Sequence, residues 1–159
     1  VPGFLTALRY VCISGHPRYL AMYDLETFSV LDSAAYKRVG YENASPWTKR
    51  VTSRVRIYRS AGEQIYPGQA ITQRSARIEL LRFRHLAKGD ASAIVAGLEK
   101  LTSARKEISQ LRVLAFDTPE GIDYLGVIET TAPLSSPLDL ASLGSHARAI
   151  DLVNSYAPY

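Results

Sequence analysis

The chain has three histidines, His16, His85 and His146, the side chains that exchange protons near neutral pH without help from their surroundings. His85 ends the run Leu81-Arg82-Phe83-Arg84-His85, where a strand would deliver it to the rim of a site. It is the candidate general base or ligand contact; the competing role is a strand-end histidine bonded to a loop. His16, in a Gly-His-Pro turn, and His146, between Ser145 and Arg148, read as surface residues. Tyr10 and Tyr23 fall on two successive expected strands and are candidate catalytic hydroxyls that orient a ligand or donate a proton. Arg82 and Arg84 share one strand face, as do Arg56 and Tyr58. Guanidinium groups so placed can hold a carboxylate or phenolate bidentately, so Arg56, Tyr58 and Arg82 are candidate ligand contacts. Trp47, in Pro-Trp-Thr, is either a packing anchor or a lid wall over the ligand. Asp24 and Glu26 read as a polar strand end, Glu129 has no assignable partner, and Cys12 reads as a small core residue.

Several chemistries lack their residues. There is no HExxH and no carboxylate–histidine set at ligand spacing, so no metal is expected. No histidine lies on a convincing amphipathic helix, which disfavours haem. Neither GxGxxG nor GxxxxGK[ST] occurs, and there is no GxSxG elbow, which argues against nucleotide dependence and serine hydrolysis. No cofactor is expected. A single cysteine allows no internal disulfide and no CxxC site.

The elements that must position these residues read as follows. Strands are expected at 5–13 and 18–26, joined as a hairpin through Gly15-His16-Pro17. A helix follows over 27–38, then an irregular stretch over 40–53, a period-two strand at 54–59 (RVRIYR) and a polar connection over 60–75. A strand at 76–85 opens the second half, and Asp90 caps a helix with Ile94, Val95, Leu98 and Leu101 on its apolar face. Strands at 109–116 and 123–130 flank a Pro-Glu-Gly turn. A short helix over 136–143 and a final strand at 147–155 complete the order.

Tyr19-Leu20-Ala21-Met22-Tyr23-Asp24 is echoed 105 residues later by Tyr124-Leu125-Gly126-Val127-Ile128-Glu129. Each segment follows a strand and a turn and precedes a helix-like stretch and a late strand, the pattern of a duplicated α+β unit. The full unit, strand–helix–strand–strand–helix–strand, is the ferredoxin-like order. Residues 76–159 supply all six elements; residues 1–75 supply the last four, so the first strand and helix of repeat one are expected upstream of the given sequence. Two four-stranded sheets are expected to face each other in one compact intrachain α+β barrel, enclosing a cavity.

The 159 residues suffice for one domain or two fused halves, and 47% apolar with 21% charged residues is globular composition, which excludes disorder. The net charge of +4 is scattered rather than clustered with aromatics, so nucleic acid is not an expected partner. No apolar run approaches membrane-spanning length, and Val-Pro-Gly-Phe is no signal peptide, so a cytoplasmic, non-membrane protein is expected.

Val1-Pro2-Gly3-Phe4, Arg9-Tyr10, Gly15-His16-Pro17-Arg18-Tyr19-Leu20-Ala21-Met22-Tyr23-Asp24-Leu25 and Pro46-Trp47-Thr48-Lys49-Arg50 resemble the dimeric α+β barrel superfamily. More narrowly they resemble a bacterial, fused-repeat group related to the EthD-like proteins. The resemblance covers the first 50 residues best and Ile150-Asp151-Leu152-Val153-Asn154 fairly. It implies a small organic ligand, aromatic or oxygenated, and cofactor-independent oxygenase, isomerase or lyase chemistry. A non-catalytic ligand carrier, or an oligomeric scaffold such as a homodimer, is the alternative. Relatives in this group carry a histidine on a helix just ahead of the Pro-Gly-Phe segment, which the given residues do not include.

Overall fold

A computed structural model describes residues 1–159, the side chain of Tyr41 excepted. One antiparallel sheet of seven strands curls into an open half-barrel with few helices around it, an α+β fold. The strands are β1 (Leu8–Ser14), β2 (Tyr19–Met22), β3 (Glu63–Tyr66), β4 (Arg77–Leu86), β5 (Ile108–Thr118), β6 (Gly121–Thr130) and β7 (Ile150–Pro158). Their order across the sheet is β2-β1-β7-β4-β6-β5-β3. The helices are α1 (Ala34–Val39), α2 (Pro46–Thr52) and α3 (Ala91–Thr102), with shorter 3-10 turns between elements.

Period-two alternation assigns the side chains of each strand to opposite faces. On the face toward α3, Leu81, Phe83, Val113, Tyr124 and Ile128 pack with Ile94, Leu98 and Leu101 of the helix. Gly126 permits that contact, because a Cβ there would stand 3.0 Å from a Leu98 methyl. On the opposite face, here called inner, Tyr10, Ile78, Leu80, Val127 and Tyr156 form a second core, edged by Leu20, Met22, Leu114, Leu125 and Leu152. Both faces of the central strands are therefore buried.

The two four-stranded facing sheets expected from the repeat are replaced by a single continuous sheet, with β1–β2 added beside β7 and β3 added beside β5. The chain supplies seven strands, and both halves bond edge to edge rather than closing separately. The expected strand at 54–59 is absent: these residues are exposed and irregular, with Val55, Ile57 and Tyr58 53%, 56% and 66% exposed. Alternation makes a strand only where an edge accepts it, and β3, from the stretch expected to be a plain connection, takes the edge of β5 instead. The stretch expected to be irregular contains α2, started by Ser45, whose hydroxyl accepts the Thr48 amide at 3.1 Å, with Pro46 in the first turn. The helix expected over 27–38 divides into a 3-10 turn, Phe28–Asp32, and α1, because Ser33 is extended and caps a new start. The second strand is shorter than 18–26, the helix expected over 136–143 becomes 3-10 turns over Leu140–Ala149, and the last strand runs three residues further, to Pro158.

Candidate functional site

Asp24 follows β2, Arg112 lies midway along β5 and Glu129 sits near the end of β6. The curl of the sheet and a return of the chain through residues 71–76 bring them together. The Arg112 side chain is 1% exposed, that of Glu129 is fully buried and that of Asp24 is 15% exposed. Arg112 Nη1 donates to Asp24 Oδ1 at 2.8 Å, and Nη2 stands 3.2 Å from Glu129 Oε1. Nη2 also donates to Thr72 Oγ1 at 2.7 Å.

The surrounding backbone closes the cluster. The Thr72 amide donates to Asp24 Oδ2 at 2.7 Å and the Gln73 amide to Glu129 Oε2 at 2.9 Å. Thr6 Oγ1 donates to the same Asp24 oxygen, Oδ2, at 2.5 Å, and Gln110 Nε2 donates to Glu129 Oε1 at 3.0 Å. The segment 71–76 is thus held by the charges it covers, and it feeds directly into β4.

One cation faces two carboxylates, and the two respond differently. Burial raises the Glu129 pKa above the usual carboxylate value, and its hydrogen bonds and Arg112 only partly offset that, with the Asp24 charge pushing the same way as burial. For Asp24 burial is again the largest influence, but hydrogen bonds from Thr6 and Thr72 and the Arg112 charge outweigh it, so its pKa is lowered. Glu129 is therefore the member that holds a proton more readily.

Three buried polar atoms in this neighbourhood make no hydrogen bond of good geometry among the described residues, Tyr10 Oη, Ser75 Oγ and Arg112 Nε, with the Ser75 hydroxyl lying toward that of Tyr10. Burial and the nearby Glu129 charge push the Tyr10 hydroxyl up to about 12. An unpaired guanidinium N–H and a protonated phenol are both hydrogen-bond donors, suited to an oxygen that carries negative charge. A carboxyl that readily holds a proton stands beside them.

Of the candidate catalytic and ligand-binding residues read from sequence, Tyr10 alone belongs to this cluster, whereas Asp24, read as a polar strand end, and Glu129, read without a partner, form its core. Tyr23 is 49% exposed and packs edge-on against Phe4, with ring centroids 5.7 Å apart. His85 pairs with Glu120 at 3.0 Å at the far end of β4, both side chains exposed. It lies seven residues beyond Ile78, roughly 20 Å at strand rise, from the level of Glu129. Arg82 makes a two-pronged contact with Asp151, both bonds 2.8 Å, and Arg84 joins Asp123 and Asp151 at that same rim. Arg56 stacks over Tyr58 at 5.0 Å on the exposed irregular stretch. Trp47, 66% exposed, lines a shallow surface hollow with Arg50, Val51 and Arg54. These residues are not brought into one site.

Arg112 was not legible as a site residue, because it stands in an ordinary strand run, Ser-Gln-Leu-Arg-Val-Leu-Ala-Phe. The signal that could have found it was a lone cation inside an apolar strand together with two acids, Asp24 and Glu129, at matching positions of the 105-residue echo. Among the described residues no group of three or more His, Cys, Asp or Glu side chains is placed to hold a metal ion. Among the described residues no helix is long and apolar enough to cross a membrane. No protein-family model matches the chain, and no curated protein matches it.

Proposed function

We propose that the inner face of the half-barrel binds a small oxygenated organic compound, aromatic or enolisable, and exchanges a proton with it without a metal or nucleotide. The observation that carries this reading is the pair of orphaned donors, Arg112 Nε and Tyr10 Oη, beside the proton-holding Glu129. The two donors would receive a carbonyl or phenolate oxygen, and Glu129 would return or remove the proton. Asp24 keeps Arg112 charged and oriented. Isomerase or lyase chemistry fits these groups; oxygenase chemistry would require the bound compound itself to react with oxygen.

The architecture in this reading is a pair of tandem ferredoxin-like repeats, 1–75 and 76–159. Supporting it, residues 76–159 run strand, helix, two strands, 3-10 turns and strand, in the sheet order β7-β4-β6-β5 of that fold. The hairpin registers also correspond: Leu8 faces Met22 as Arg112 faces Val127, and Tyr10 faces Leu20 as Leu114 faces Leu125. Asp24 and Glu129, 105 residues apart, then occupy equivalent positions on either side of one arginine. A cytoplasmic setting belongs to the reading, supported by one unpaired cysteine, Cys12.

A second reading, a carrier or scaffold without catalysis, is favoured by the filling of the inner face with Leu80, Leu125, Leu152 and Tyr156 and by the loop that caps the charges. Amide-resolved NMR titration with phenol, catechol and a small lactone distinguishes the two. Binding should move the Tyr10, Arg112 and Glu129 signals and weaken at least tenfold in Tyr10→Phe. Shifts confined to the surface, or equal binding by Tyr10→Phe, overturn the site.

A further inference from the structure

Charge is not evenly shared along the chain. Residues 46–59 hold five of its 19 cations, Lys49, Arg50, Arg54, Arg56 and Arg59, and none of its 15 acids. The other residues carry 14 cations against those 15 acids, so this one stretch accounts for the net positive charge. All five cations are exposed. Among the described residues none of the five makes an ion pair, whereas Arg82, Arg84, Arg105 and Arg112 all do. We propose that α2 and the stretch after it, residues 46–59, form a surface that lies on an anionic lipid bilayer. The proposal is independent of the inner-face reading and uses no residue of that cluster.

Apolar side chains are interleaved with these cations. Trp47, Val51, Val55, Ile57 and Tyr58 are between 40% and 66% exposed, and α2 buries no residue. Trp47, Arg50, Val51 and Arg54 follow the i, i+3, i+4, i+7 spacing of one helix face. The Arg54 amide donates to the Val51 carbonyl at 3.1 Å, which carries that face past the end of α2. These four side chains line one hollow of about 200 Å³. Two guanidinium groups beside an indole suit a phosphodiester, since each planar fork can take two phosphate oxygens. An indole, apolar with one polar N–H, settles at the depth of lipid headgroups. Arg56 over the Tyr58 ring, 5.0 Å from its centroid, sets a further cation against a second ring of that kind.

The aliphatic side chains select the bilayer among anionic partners. RNA offers phosphates and base faces to arginines and aromatic rings, but no apolar phase to Val51, Val55 and Ile57. A lipid surface receives all three kinds: phosphate meets arginine, the headgroup boundary meets Trp and Tyr, and the acyl chains meet the aliphatics. A second copy of the chain would bring five more unpaired cations against these five. Such a surface rests on the bilayer and needs no spanning helix.

Trp47 is the sole tryptophan of the chain, so indole fluorescence reports from within the surface. The protein is titrated with vesicles of equimolar phosphatidylcholine and phosphatidylserine, and with vesicles of phosphatidylcholine alone. Emission should move to the blue with the anionic vesicles only, and the shift should fade as salt rises. Arg50→Gln combined with Arg54→Gln should weaken the partition roughly tenfold. Lys100→Gln combined with Lys106→Gln removes exposed cations of the second half and should leave it unchanged. No blue shift with anionic vesicles, equal partition to both vesicle types, or equal loss in the two double variants overturns the proposal. So does tighter binding of poly(U) RNA than of the anionic vesicles, which would assign the surface to nucleic acid.

Discussion

Arg112 compensates two buried carboxylates at once, so its removal exposes more than one lost contact. Arg112→Ala leaves Asp24 and Glu129 facing each other in a dry site and should cost about 3–5 kcal/mol, read from urea unfolding. Glu129→Gln asks a different question. Its folded pKa is raised, so the proton stabilises the fold at pH below the unfolded value, and that contribution is lost as pH rises through the folded value. Asp24, with a lowered pKa, contributes in the opposite sense and loses its effect on acidification. Stability of Glu129→Gln relative to the natural chain should therefore rise as pH increases above the unfolded carboxyl value and level off once the folded group has ionised, followed by chemical unfolding at each pH. A flat difference would mean that Glu129 titrates alike in the folded and unfolded chains. His85 provides the contrast: its partner Glu120 is exposed, and an exposed pair contributes little. His85→Ala should change stability by less than about 0.5 kcal/mol. Turnover or binding that disappears in that variant would move the site to the Arg82–Asp151 rim.

Helix α3 holds the second half together by pressing one apolar stripe onto strands β4, β5 and β6. Leu98 is fully buried and touches the bare backbone of Gly126. Leu98→Ala should cost about 2–5 kcal/mol in a denaturant titration, since the rigid sheet below cannot collapse into the space. Gly126→Val addresses the same contact from below and should cost about 1–3 kcal/mol by overpacking. The period-3.6 pattern of Ile94, Val95, Leu98 and Leu101 makes this helix legible in the amino-acid sequence. The short helices of the first half are less so. Ser45-Pro46 and Ser33 are good starts, but α1 and α2 bury no residue in the sheet cores, and periodicity reports burial. The alternation at 54–59 misleads for the converse reason: the pattern is present without an edge to receive it.

At the scale of the molecule, the half-barrel exposes many large apolar side chains in its first 58 residues, among them Tyr19, Phe28, Val39, Trp47, Val55 and Tyr58. Where such side chains adjoin, they ordinarily mark a surface that something covers. The second half has no comparable exposure on its α3 face, because the helix is present there. The asymmetry between the two halves follows from which elements each possesses. Residues 1–159 alone should therefore bind a hydrophobic dye such as ANS in the folded state. Absence of dye binding by a folded monomer would mean that the apolar side chains are too dispersed to act as a surface.

Local pattern determined the leading strand pair, the strand–helix–strand–strand order of residues 77–130 and the final strand, because each depends on residues near one another in sequence, and the 105-residue echo is read from the residues directly. It also marked Tyr10, whose strand position forces it inward. Tertiary structure alone decided that the halves share one sheet and that β3 rather than 54–59 takes the edge of β5. It alone brought Asp24, Thr72, Arg112 and Glu129 within bonding distance. The contacts of Arg112 with Asp24 and Thr72 span 88 and 40 residues. Such a pairing depends on sheet order and curl, quantities that no local period of two or 3.6 encodes.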